Sequence, residues 1–290
     1  MSHRRLASLA IAVWAAACSQ GSPPIERPAP KPAPPRTSGG PARAPTADPT
    51  RGAEILYHPT SGARYALERR DSLVLELPGG ATQLQQFSRT AYLTISITDA
   101  PGAYHAAIRL DSLRQEVGGT VAADSVLRAE GTTWVASLTP QGHLTGLRAD
   151  RSSGVGDQVE ASLPELFPAL PAGGLDTTTQ WNDTTERTIK ADAFDVREHA
   201  VTSYQVEKRE GGVYTIVAAT VFDRTGSGGQ PTQPMEMASA GTRRTVYRFS
   251  RDSGVLGAEG TDSAEMTITV PAVGQSVPVH QRASWKAARK

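Results

Sequence analysis

Residue types that could carry chemistry are present in this chain, but not at the spacings that chemistry needs. His58, His105, His143, His199 and His280 are dispersed, without the H-x-x-x-H or H-E-x-x-H spacing that turns two imidazoles toward one metal ion. His105 and His280 both fall in segments that read as strands and could approach each other, with surface positions the simpler expectation. No G-x-S-x-G frames a hydrolase nucleophile. Gly226-Ser227-Gly228-Gly229 lacks the Lys-Thr and helix start of a phosphate cradle and reads as a flexible loop. Ser250-Arg251-Asp252-Ser253-Gly254 fits half of an Asp box, but the closing Thr-Trp is missing, so a hairpin turn is expected there. The acidic pairs Asp71/Glu76 and Asp192/Asp195 have the right chemistry for acid–base work, yet nothing in the sequence puts either pair in a pocket. The sequence therefore offers no catalytic residue, no metal site and no cofactor motif.

Two kinds of residue remain. Trp134, Trp181 and Trp285 sit in or beside alternating segments and read first as core. Trp181, Tyr214, Phe222, Tyr247 and Phe249 are the candidates to line an internal cavity. The other is Cys18, the single cysteine, which rules out a disulfide framework or a cysteine zinc site.

The elements that must position these residues read as β. Leu93, Ile95 and Ile97 alternate with Thr94, Ser96 and Thr98, the period of a strand with one buried face. Tyr104, Ala106, Ile108 and Leu110 alternate with His105, Arg109 and Asp111, and Asp99-Ala100-Pro101-Gly102 between the runs predicts a hairpin. Further strands are expected over 64–68, 72–77, 132–138, 143–149, 202–208, 213–222, 243–249, 264–270 and 277–285. The run 213–222 is apolar on both faces, as in a central strand or a cavity wall. Ser162-Leu163-Pro164-Glu165 is a capping box that starts one short helix over 162–170, which Pro168 and Pro171 stop; 117–128 is ambiguous. Gly131–Gly146 and Gly241–Gly257 share a strand, turn and strand outline, so halves at 53–158 and 159–290 could be related.

Upstream the composition changes. His3, Arg4 and Arg5 precede a twelve-residue, mostly apolar run from Leu6 to Ala17. Twelve helical residues span about 18 Å against a hydrocarbon core of about 30 Å, so the run reads as a signal peptide, 1–17, and not as a membrane span. Residues 18–52 hold ten of the 21 prolines and little apolar surface beyond Ile25, the composition of a disordered tether. Without Arg4 and Arg5 the chain keeps 28 of its 30 basic residues against 29 acidic ones. Near-neutral charge gives no support to a nucleic-acid partner.

Trp14-Ala15-Ala16-Ala17-Cys18-Ser19 resembles the processing site of bacterial lipoproteins, in which the cysteine after small residues is lipidated and becomes the new N-terminus. The pattern departs at Ala15, where Leu is commoner, which leaves ordinary cleavage near Ala17 open. The resemblance implies palmitate-type acylation of Cys18 and a cell-envelope membrane as partner, the outer one because Ser19 and not Asp follows. Leu166-Phe167-Pro168-Ala169-Leu170-Pro171-Ala172-Gly173-Gly174 with Trp181, and Tyr247-Arg248-Phe249-Ser250-Arg251-Asp252-Ser253-Gly254-Val255-Leu256, resemble an uncharacterised bacterial envelope family over about 163–287. Leu175-Asp176 departs from that family's usual Gly-Asp. This resemblance implies a lipoprotein-carrier-like half-barrel, a curved antiparallel sheet with an apolar concave face. The expected whole is one mainly β domain over 53–290 with 10–12 strands and one short helix. Its expected role is non-catalytic binding of an apolar or amphipathic ligand. The alternatives are a structural or assembly lipoprotein that docks another envelope protein and, third, a hydrolase with dispersed residues.

Overall fold

The computed structural model describes residues 61–290 apart from 78, 119, 122, 192, 193, 231 and 232. The expected signal peptide, Cys18, the tether and the domain start at 53 lie outside the described residues.

Twelve strands and two short α-helices follow one another as β1 (Ala63–Glu76), β2 (Thr82–Ala100), β3 (Ala103–Val117), β4 (Thr120–Val121), α1 (Ala123–Ala129), β5 (Thr133–Leu138), β6 (Leu144–Ala149), α2 (Gly154–Glu160), β7 (Gln180–Ala191), β8 (Phe194–Glu210), β9 (Val213–Gln230), β10 (Gln233–Ser250), β11 (Gly254–Val270) and β12 (Gln275–Arg289). They form one antiparallel sheet in the order β6-β5-β3-β2-β1-β12-β11-β10-β9-β8-β7, with β4 beside β3. The sheet is curled into a half-barrel, as expected from sequence. Its first and last long strands meet in mid-sheet, in register from Tyr65↔Arg289 to Leu75↔Val279. The two edge strands, β6 and β7, are neighbours in sequence, so the chain between them, residues 150–179, must cross the open side.

Alternation sets which face is which. Ala91, Leu93, Ile95 and Ile97 of β2 are buried, as are Tyr104, Ala106, Ile108 and Leu110 of β3. Their hairpin closes at Ala100↔Ala103, where Gly102 takes φ +72°, a left-handed conformation that only glycine adopts without strain. A bulge between Tyr92 and Leu93 then shifts the pairing by one, so that Leu113 and not Ser112 continues the inward row.

Several local expectations change. The segments 64–68 and 72–77 are one strand, β1, and 117–128 yields the helix α1. Gly226–Gly229 is not a loop but the continuation of β9, paired with β8 and β10. A Cβ on Gly226 would lie 3.1 Å from Val196 Cγ2 and 3.4 Å from Met237 Cε, so the glycine lets these side chains meet across β9. The expected helix over 162–170 is a single 3-10 turn, Leu163–Leu166, that follows α2. Ser162 does not cap it: its hydroxyl donates to the Gln158 carbonyl (3.3 Å) and accepts from Arg89 Nη2 (3.3 Å). The two hairpins compared as possible repeats sit in different places, β5–β6 at the sheet edge and β10–β11 in its middle.

Candidate functional site

The concave face divides into two apolar stretches with a buried band of charge between them. Residues 150–179 fill the first. Ser153 accepts a hydrogen bond from Gly156 N (3.1 Å) and starts α2; the 3-10 turn and a proline-rich stretch follow. Val155, Val159, Leu163, Leu166, Leu170 and Leu175 from this segment join one buried cluster with Leu67, Leu93, Ile108, Trp134 and Leu138 of one wing and Val206, Tyr214, Ile216, Tyr247 and Phe249 of the other. Polar contacts anchor the segment on both sides. Leu170 N donates to Gln141 O (2.7 Å), Trp134 Nε1 to Glu160 Oε2 (2.9 Å), Trp181 Nε1 to Ala169 O (2.9 Å) and Tyr247 Oη to the Glu165 carbonyl (3.1 Å). Burial raises the Tyr247 pKa well above its usual value, which keeps this phenol a donor.

The charged band lies where the segment ends. Glu165, on the 3-10 turn, faces Arg243 Nη2 at 3.0 Å, Arg187 Nη2 at 3.5 Å and Arg69 Nη1 at 3.6 Å. Asp262 holds Arg243 Nε at 3.0 Å and Arg69 Nη2 at 3.4 Å, and Asp71 holds Arg69 Nε at 3.0 Å. Glu198, 1% exposed, accepts from Arg187 Nε and Arg224 Nε, each at 2.6 Å. Four guanidiniums thus face four carboxylates. Burial opposes ionisation, but Arg187, Arg224 and Arg243 outweigh it at Glu198 and bring its pKa down to about 2. Burial likewise works against Glu165, and Arg243, Arg69 and Arg187 hold it below the usual range. Asp262 goes the other way, pushed up by burial and by the neighbouring Glu165, with Arg243 and Arg69 opposing. A buried network of this kind is weak as a net stabiliser against an apolar core but costly to break, which suits a fastening between segment and sheet.

The second stretch begins within the band, between the Arg243–Asp262 row and the Arg224–Glu198 row, and continues past it. Phe222 lies over Gly241, where a Cβ would come within 2.7 Å of its Cζ, and reaches Ala264; Ala200, Phe222 and Ala264 form a cluster of their own. Val196, Met237, Val277 and Val279 continue the inward-facing apolar rows and are buried. Arg224 sits 4.3 Å above the Phe222 ring and Arg243 5.4 Å from it.

The five residues expected to line a cavity therefore separate. Tyr214, Tyr247 and Phe249 are in the filled core under the connecting segment. Trp181 packs against that core, stacked on Tyr204 with centroids 5.1 Å apart. Phe222 belongs to the second stretch. His105 on β3 and His280 on β12 are separated by β1 and β2. Asp71 and Glu76 do not act together: Asp71 pairs with Arg69, whereas Glu76 meets His280 Nε2 at 2.8 Å. Asp192 lies outside the described residues. The arginine–carboxylate band escaped the sequence reading, although a signal was present. Arg69 follows Leu67, Arg243 precedes Thr245 and Asp262 precedes Ala264 at inward positions of alternating strands, where a charge demands a partner.

On the opposite face, a groove of about 840 Å³ is lined by Val201, Ala219 and Val221 beside Arg244 and Arg282, with Val221 65% exposed. Among the described residues no group of three or more His, Cys, Asp or Glu is placed to hold a metal. No helix there is long and apolar enough to cross a membrane.

No family model matches this chain, and no curated protein does. Among solved structures, a triply substituted variant of the porin of Rh. blastica aligns at 9% identity over 76% of this chain and 98% of the porin, with a TM-score of 0.22. Another variant of the same porin aligns at 10% identity over 78% and 99%, with a TM-score of 0.23. At that level the likeness supports no inference about this chain.

Proposed function

We propose that this protein is a cell-envelope lipoprotein, held by an acylated Cys18 and a proline-rich tether, whose half-barrel binds an apolar or amphipathic ligand without catalysis. One observation carries the ligand reading. The inward apolar rows run on past the connecting segment, through Phe222, Met237, Val196, Val277 and Val279, where the segment's own side chains no longer join the cluster. A sheet that only needed a closed core could stop at the charged band. Strands of 17 and 18 residues extend about 55–60 Å, well beyond the usual five or six residues. Extraction and mass spectrometry of lipids from the purified full chain test the reading. Wild type is expected to carry a near-stoichiometric apolar species that Met237→Asp loses while its circular-dichroism spectrum is unchanged; equal lipid content in both proteins contradicts it.

The second reading, docking of an envelope protein, is favoured by the exposed Val221 and Val201 in the outer groove. Metabolic labelling with palmitate tests the anchor separately. Label is expected in wild type and absent from Cys18→Ala; equal labelling overturns it.

A further inference from the structure

The ligand reading above leaves the chemistry of the ligand's head open, and the second stretch carries a residue that addresses it. Ser239, on β10, is the direct cross-strand partner of Arg224 on β9 and of Met266 on β11. It is 7% exposed, and its Oγ is buried without any hydrogen-bond partner among the described residues. A buried hydroxyl left unpaired is unfavourable, so such a group marks a place where a partner belongs. Directly paired residues of neighbouring strands bring their Cβ atoms within about 5 Å, so Ser239 Oγ opens onto the volume beside the Arg224 side chain.

Arg224 is poised to share that volume. Both of its contacts with Glu198, through Nε at 2.6 Å and Nη2 at 2.5 Å, use the single oxygen Oε2, and Nη1 donates to nothing among the described residues. Local charge is also unbalanced. Arg224 has one carboxylate, Glu198, and shares it with Arg187, whereas Arg187 also meets Glu165, and Arg243 and Arg69 each face two or more carboxylates. Arg224, across from Ser239, is therefore the least compensated of the four guanidiniums. Met237 lies two residues along β10 from Ser239 on the same face, with its Cε near Val196 across Gly226.

We infer that Arg224 Nη1 and Ser239 Oγ form the head site for a single-chain amphiphile with an anionic head group, its apolar chain following Met237, Val196, Val277 and Val279. This inference rests on the proposal of a ligand on the concave face. An anion there would accept from both groups and would be the partner Ser239 lacks, which neither an alcohol nor a hydrocarbon supplies as well.

The test is calorimetric titration of the full chain with oleate, oleyl alcohol and 1-oleoyl-lysophosphatidate, each below its micellar concentration. Oleate is expected to bind about tenfold tighter than the alcohol, with Ser239→Ala weakening oleate several-fold and leaving the alcohol unchanged. Arg224→Gln should erase the preference and Arg224→Lys restore part of it; the lysine variant guards against a folding defect in the first. Tighter binding of the lysophosphatidate than of oleate supports the same head site with phosphate as its anion. Equal affinities for acid and alcohol, untouched by Ser239→Ala, overturn the head site alone. Failure of all three to bind overturns the concave-face reading beneath it as well.

Discussion

Replacing Glu165 by Gln removes one charge from the fastening and little else. The side chain keeps its size and one acceptor oxygen, so the change isolates electrostatics. Glu165 stands 3.0, 3.5 and 3.6 Å from three guanidiniums, and without it Arg69, Arg187, Arg224 and Arg243 are left with Asp71, Glu198 and Asp262. Breaking a buried pair from one side costs about 3–5 kcal/mol, and the retained acceptor oxygen places this case near the lower end. For a domain of this size about 1 kcal/mol lowers Tm by about 2–4 °C, so a fall of about 6–12 °C is expected. Thermal unfolding of the full chain, followed by circular dichroism at the β minimum, measures it. Glu165→Gln with Arg243→Gln restores charge balance, so the double variant should lose at least about 1 kcal/mol less than the two single losses added together. A loss below about 1 kcal/mol for the single variant, or strict additivity in the double one, would refute the view that this band fastens the segment to the sheet.

Other expectations follow from the same geometry. Glu198, held at about 2 against a usual 4.5, lends stability that is complete above pH 4.5 and is lost as pH falls toward 2; the loss amounts to about 3 kcal/mol. Asp262, whose pKa is raised, partly offsets this at low pH, and Glu198→Gln should flatten the acid limb of a urea-midpoint profile; an unchanged limb contradicts the assignment. His280 is hydrogen-bonded to Glu76 and paired with Glu265, so its pKa is raised and its contribution, full below the usual 6.5, fades as pH rises through the folded value. An NMR titration should place the His280 midpoint above 6.5 and move it down in Glu76→Gln; a midpoint at or below 6.5 removes the interaction. Gly241→Ala should destabilise the fold by about 1–3 kcal/mol, because the new methyl meets the Ser263 carbonyl, and Phe222 Cζ lies 2.7 Å away. Denaturant unfolding that leaves its midpoint unmoved would show that Phe222 does not lie across this glycine.

The period-two pattern made most of the sheet legible, since one-sided burial writes itself into Leu93-x-Ile95-x-Ile97 and Tyr104-x-Ala106-x-Ile108. β7 was missed because, as an edge strand, it shows Asp183, Thr185 and Arg187 along its line and not an apolar row. Gly226–Gly229 looked like a loop because glycine is poor in strands, except where other side chains need the space, as Val196 and Met237 do here. The union of β1 with β12 joins residues more than 200 positions apart, and no local signal encodes such a pairing. The charged band has the same difficulty: its members run from Arg69 to Asp262 and meet only once the sheet has curled. Glu165 illustrates the conflict, since its spacing from Ser162 fits a cap, but three guanidiniums outcompete one backbone N–H for its carboxylate.

On the function proposed above, the concave face beyond the charged band holds a small apolar-chained molecule and not another protein. A photoreactive benzoyl-phenylalanine at position 237, incorporated in the living cell and irradiated there, tests it at the residue that should touch the chain. An adduct of a few hundred daltons on the full chain, detected by intact mass, is expected, with no such adduct from the same probe at position 221 on the outer face. A high-mass protein adduct at position 237, or none of any kind, would contradict it.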